Sequence, residues 1–287
     1  GYPHIVKGSG RYLLDYRACS GAKIDDVYEK QLSPSKGDLV TLSIGGNDVG
    51  FASVVIDCMM PGFLASCEEA VHSAARIIEQ DLPARLGGLY ASTQARFPRA
   101  KMFVIAYPYL TEVEECDLLG AVFLTRRDRE KMRWAVDQMN AAIGEAARKA
   151  GVAHIDPREK FDGHGICSDQ PWINSMPIGY DPELHSFDFS KENSFHPNVF
   201  GNRAYAELVK SRLPSNRRMP ADREPVLPVK GKTIHDATAD DLAQVAPYLV
   251  REPNLKKAEK SGVPREVLLR IDRDLRSGNL KKAKAAY

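Results

Sequence analysis

The sequence has no apolar run long enough to cross a bilayer. Stretches such as Leu39 to Ile44 fall far short of the roughly 18–20 residues required. It has almost no net charge, 40 Lys+Arg against 38 Asp+Glu, which removes the electrostatic case for a nucleic-acid partner. It has no Cys-x-x-Cys pair and no cysteine clustered with histidines, so neither a zinc site nor a dithiol redox centre is indicated. Nor is it short of apolar residues: 43% of 287 residues is enough for a buried core and excludes disorder over most of the chain. The chain opens on Gly1-Tyr2-Pro3 without a signal segment, and we expect any such segment to have been removed. What it does have is five cysteines, at 19, 58, 67, 116 and 167. Spread in this way they suggest disulfides and a secreted protein, yet an odd number leaves one without a mate.

Charge and proline divide the chain. Residues 217–287 carry 16 basic and 10 acidic side chains, whereas residues 1–216 carry 24 and 28. Pro214, Pro220, Pro225 and Pro228 cluster between these parts, downstream of every cysteine. We therefore expect a main domain over 1–213, a linker over 214–232 and a basic helical appendage over 233–287. In the appendage, 239–250 and 264–276 have amphipathic spacing but no motif. We read such a segment as helices packing on the main domain or as a solvated tail, with a patch for an acidic partner as the lesser alternative.

Upstream, strands and helices alternate. Leu39 to Ile44, Met102 to Ala106 and Val152 to Ile155 read as short buried strands, each stopped by a turn signal. Between them, Glu68 to Gln80 reads as a helix continuing past Pro83 towards Leu89. Arg126 to Ala150 reads as a second helix, with basic residues in its last turn before Gly151. That order predicts an α/β fold with a parallel sheet covered on both faces, and chemistry at the carboxyl ends of strands.

Three stretches stand where strand ends are expected. Ala18-Cys19-Ser20-Gly21-Ala22 is a run of small residues that lets backbone approach a ligand. Gly45-Gly46-Asn47-Asp48 puts a side-chain amide just beyond a strand. Ser194-Phe195-His196-Pro197-Asn198 puts a histidine before a proline suited to the first position of a helix running through Ala204 to Val209. Plainer explanations exist for each: a strand-to-helix turn, a helix cap at Asn47 or Asp48, and a structural histidine among seven.

Taken together, the three stretches resemble the SGNH (GDSL-type) hydrolases, particularly their secreted, disulfide-bonded bacterial and fungal lipases and esterases. Ala18 to Ala22 with Asp25-Asp26 is similar to the second family block, Thr41 to Phe51 to the third, and Ser194 to Asn198 with Gly201 to the last. The likeness runs from about residue 1 to 213. It implies a flavodoxin-like three-layer sandwich around a parallel sheet and hydrolysis of small-molecule or lipid esters. It calls for no metal or cofactor. It also implies oxyanion donors at Gly21 and Asn47, a catalytic base at His196, and disulfides Cys58–Cys67 and Cys116–Cys167, with Cys19 left over.

Two departures from the family pattern matter. Where an aspartate often precedes the histidine by three residues, this chain has Asn193; its amide or backbone carbonyl is the expected orienting group, with Asp188 an outside candidate. More seriously, the Gly-Asp-Ser nucleophile block is absent. The only serine before Cys19 is Ser9, which lacks both the motif and a preceding apolar strand. The resemblance implies that the missing block carries the first strand of the sheet and a cysteine that pairs with Cys19. We expect that segment upstream, cut away or present as a separate peptide joined through Cys19, and little turnover from the chain without it. A non-catalytic binding or scaffold protein that has lost the nucleophile, and a glycan deacetylase of the same fold, are the alternative readings.

Overall fold

A computed structural model describes residues 1–8, 13–32, 36–59, 65–114, 116, 124–175, 180–181, 186–187, 195–213, 250, 252, 255–256, 259 and 264–277. Its framework is a three-stranded parallel sheet in the order β1 (Leu39–Leu42), β2 (Lys101–Ile105), β3 (Ala153–Ile155). Parallel strands need long crossovers. Here α3 (Phe51–Met59), α4 (Cys67–Gln80) and α5 (Leu82–Arg96) connect β1 to β2, and α6 (Arg126–Lys149) connects β2 to β3.

Register and side-chain alternation place helices on both faces. Thr41, Phe103 and Ala153 are paired neighbours and share one face, while Leu42, Val104 and His154 share the other. On the first face, Tyr2 of α1 (Tyr2–Lys7) donates to Thr41 Oγ1 at 3.0 Å, and Lys101 donates to the Arg212 carbonyl that ends α8 (Val199–Ser211). On the second, the His154 ring packs on Gly144 of α6. The result is the three-layer α/β sandwich that the alternating pattern predicts. Burial and hydrogen bonding pull in opposite directions on the Tyr2 hydroxyl, and burial wins, pushing its pKa up to about 12.

The longest helix is the one whose ends are best marked in the sequence. Thr125 and Asp128 form a reciprocal capping box at the start of α6, and Gly151 follows its end with φ +65°. One face of α6 buries Met132, Val136, Met139 and Ile143 against the core. Elsewhere the structure corrects the sequence reading. The helix expected from Glu68 past Pro83 is two helices, broken at Asp81; Pro83 lies in the first turn of α5, where its missing N–H costs nothing. The strand expected to be buried at Leu39–Leu42 is half-buried at every position, because among the described residues nothing pairs with its outer edge. Residues 13–19 form no strand before the Ser20–Gly21 turn.

The remaining described elements are small. Ile24–Asp26 (α2) continues into a π-helical turn over Val27–Gln31, Arg158–Phe161 forms α7, and Tyr180–Asp181 (β4) pairs with Ser186–Phe187 (β5). Cys58 is bridged to Cys67 and Cys116 to Cys167, while Cys19 is a free, exposed thiol. Residues 214–249, which hold the expected linker and all but the last residue of the expected first appendage helix, lie outside the described residues. In the basic segment, Arg265–Arg276 (α9) is helical, with Leu268 and Ile271 fully buried. No described helix is long and apolar enough to cross a membrane.

Candidate active site

Two loops meet beyond the carboxyl end of β1. The first turns at Gly21, whose φ of +76° lies in the region glycine enters without penalty, closed by a bond from Ala22 N–H to the Cys19 carbonyl. The second runs from Gly45 to Gly50 and leads directly into α3; Val49 N–H returns to the Gly45 carbonyl and Phe51 N–H to that of Gly46.

Three contacts fasten the loops together. The Asn47 amide donates to the Ala22 carbonyl at 3.0 Å, leaving its second N–H for another acceptor. The Asp48 carboxylate, fully buried, accepts from Ile24 N–H at 3.2 Å and pairs with Arg85 of α5 at 2.9 Å. The same guanidinium reaches Asp25 at 3.1 Å. Breaking a buried ion pair leaves an uncompensated charge, so this contact specifies one geometry more than it adds stability.

A second support holds the Gly45–Gly50 loop from beneath. Gly46 N–H donates to the Tyr107 hydroxyl at 3.1 Å. Tyr107 follows β2, and buried Asn140 of α6 clamps its backbone from both sides: Tyr107 N–H donates to Asn140 Oδ1 at 3.0 Å, and Asn140 Nδ2 to the Tyr107 carbonyl at 2.7 Å. Burial raises the Tyr107 phenol above its ordinary range, so it stays protonated and neutral. Neither Arg85 nor Asn140 carries a sequence signal. Asp48 does, but as a turn or cap residue.

His196 is mounted separately. Asn174 N–H donates to the His196 carbonyl at 2.9 Å and Phe195 N–H to the Asn174 carbonyl at 3.0 Å, with Ile173 bridged to Pro197. Phe195 is the only non-glycine described residue with positive φ, at +58°. Such a backbone persists only where its surroundings enforce it, and this one immediately precedes the histidine. Helix α8 then starts at Val199, two residues later than expected. Pro197 lies ahead of the helix and not at its first position; Asn198 is the cap, and its side chain accepts from Phe200 and Gly201 N–H. Gly201 is required by close approach, since a Cβ there would lie 2.3 Å from the Trp172 carbonyl. His196 is exposed. Asn193 and Asp188 lie outside the described residues, as does Ser194. The structure thus brings Gly21 and Asn47 onto adjoining, mutually bonded loops, and carries His196 on its own strut beside Trp172. Among the described residues no three His, Cys, Asp or Glu side chains converge as a metal site.

A parallel sheet layered by helices, with a Gly-Gly-Asn-Asp loop after one strand and a histidine before the last helix of the sandwich, defines an SGNH-type hydrolase fold. Residues 1–204 match the GDSL-like Lipase/Acylhydrolase family, and the chain belongs to it. It is 36% identical over 201 residues to a lipase of Streptomyces rimosus, covering 69% of each chain. Among solved structures it resembles the extracellular lipase of S. rimosus, with TM-score 0.65 and 32% identity over 74% of this chain and 86% of that one. It also resembles phospholipase A1 from Streptomyces albidoflavus NA297, with TM-score 0.61 and 32% identity over 69% and 80%. By family the protein is a carboxylic ester hydrolase.

Proposed function

We propose that the protein is a secreted serine esterase or lipase in which Gly21 N–H and the Asn47 amide receive the oxyanion and His196 is the general base. The observation that carries this reading is the bond from Asn47 to Ala22. It sets a fixed side-chain donor beside a backbone donor on a glycine turn, the arrangement a developing oxyanion requires. His196 takes the proton of the attacking serine hydroxyl, and the oxygen bonds to the ester carbonyl carbon, giving a tetrahedral oxyanion. His196 then returns that proton to the departing alkoxide as the C–O bond breaks, and water repeats the cycle on the acyl-enzyme. Asn193 orients the imidazole through its amide or its carbonyl.

The nucleophile, on this reading, comes from a segment preceding Gly1. It pairs with the outer edge of β1 and is joined through Cys19. The half-buried β1 edge and the free, exposed Cys19 thiol support it. Two disulfides support secretion. A largely apolar cleft beginning at Gly46 supports an acyl-ester substrate over an acetylated glycan. The test is hydrolysis of p-nitrophenyl esters by the chain alone and together with the serine-bearing segment. Activity is expected only in the second case, and His196→Ala lowers it roughly 10⁴-fold or more. Ester turnover by the chain alone that survives His196→Ala sinks the proposal.

A further inference from the structure

Two donors stabilise an oxyanion only if their separation is fixed, and the two loops at this site are held to the fold unequally. The Gly45–Gly50 loop is packed from beneath: a Cβ on Gly45 would lie 2.9 Å from the Met139 methyl group and 3.3 Å from Leu82. The turn at Gly21 has no such support among the described residues. Cys19, Ser20 and Gly21 are exposed, and a Cβ on Gly21 would meet no atom within 4 Å. A turn with so few buried contacts takes its position from its polar ties.

Beyond the bond from Asn47 to Ala22, those ties converge on one guanidinium. Arg85 meets Asp48 through Nη1 at 2.9 Å and Asp25 through Nη2 at 3.1 Å, so a single planar fork on α5 spans both loops. Its two partners are not equivalent. The Asp25 side chain is 74% exposed and its ion pair adds little, whereas that of Asp48 has no exposure at all. A buried carboxylate without a counter-charge must move towards water or take up a proton. Either change loosens its hold on Ile24 N–H, three residues beyond Gly21. Asp48 also adjoins Asn47 in the chain, so its movement passes directly to that amide.

We propose that Arg85 is a positioning residue for ester hydrolysis: by neutralising buried Asp48 it sets the separation of the Gly21 N–H and the Asn47 amide. The inference rests on those two groups being the oxyanion donors. Ile24 anchors the same segment through its buried side chain, so loss of Arg85 displaces the donors without releasing the loop. The carbonyl of a bound ester demands less of the donors than the tetrahedral oxyanion does. Displacement therefore lowers kcat and leaves KM in place.

The test measures kcat and KM for p-nitrophenyl butanoate with the serine-bearing segment in place. Arg85→Met is expected to lower kcat roughly 10–100-fold, as for a donor displaced and not deleted, with KM within about twofold. Arg85→Gln keeps one donor but no charge; it gives a smaller loss of the same kind and carries the test if the Met variant does not fold. In an Asp48→Asn background, where no buried charge is left to neutralise, either Arg85 substitution is expected to change kcat less than about twofold. Asn47→Ala checks the reading beneath, with an expected kcat loss of about 10²–10³-fold. No loss in Asn47→Ala refutes the oxyanion assignment, and the role of Arg85 falls with it. A costly Asn47→Ala overturns the role of Arg85 alone in either of two cases: kcat is unchanged by both Arg85 variants, or their loss is as large in the Asp48→Asn background.

Discussion

The two flanks of the sheet differ although their strands are built from similar residues. On one flank, β2 is buried from Met102 to Ile105, hydrogen-bonded on both edges and covered by α6, whose Ile143 and Ala147 are wholly buried. On the other, Leu39-Val40-Thr41-Leu42 is as apolar as β2 but half-buried throughout, and Leu13, ahead of the Gly21 turn, lies fully in solvent. A strand's burial depends on how many neighbours it has as well as on its own residues. The sealed flank supplies rigidity through Asn140 and Tyr107, while the open flank carries the loops that we assign to chemistry.

Core truncation tests this contrast most strongly. Ile143→Ala on the sealed flank is expected to destabilise by about 2–5 kcal/mol, and Leu42→Ala on the open flank by less than half as much. Urea unfolding measures both. Equal losses mean that the outer edge of β1 is covered in solution. Disulfides sharpen the comparison next. Cys116–Cys167 closes a loop of sequence separation 51 and Cys58–Cys67 one of 9. Chain entropy then predicts losses of about 4 and about 2.5 kcal/mol on replacing Cys116 or Cys58 by serine. Cys19→Ser, on the open flank, is expected to change the stability of this chain by no more than about 0.5 kcal/mol.

Acidification gives the smallest effect, again on the sealed flank. Burial alone raises the carboxyl pKa of Asp156, but hydrogen bonds and charge from Arg158 outweigh it and hold the group below its ordinary value of 3.8. A depressed carboxylate stabilises the fold above its unfolded pKa, and the contribution is lost as pH falls through the folded value. Asp156→Asn should therefore flatten the thermal midpoint's dependence on pH below about pH 4, leaving neutral-pH dependence unchanged. A midpoint curve identical to that of the unmodified protein contradicts the assignment.

Parts of the site are legible in the sequence because local chemistry fixes them. Gly45-Gly46-Asn47-Asp48 is a turn wherever it occurs, and Thr125, Asp128 and Gly151 mark the ends of α6 through bonds within a few residues. The break between α4 and α5 is harder to place, since Pro83 is compatible both with a kink and with the first turn of a new helix. Arg85 and Asn140 give no sequence signal at all. Their partners, Asp48 and Tyr107, lie 37 and 33 residues away, and only folding brings them into reach. The constrained backbone at Phe195 is likewise invisible in the sequence, because the bridge from Asn174 and Ile173 imposes it from outside the motif.

By itself the sequence determined the layer order, the family and the residue types at the proposed site. Alternation of strand and helix, capping and turn composition are short-range properties, and a motif carries its residues wherever the fold takes them. Only the tertiary structure decided that Asp48 is a buried partner of Arg85 and not simply a helix cap. It alone decided that Asn47 meets the Gly21 loop through Ala22, and that an apolar cleft begins beside it. These depend on distances between segments far apart in the chain, set by the packing of α5 and α6 against the sheet.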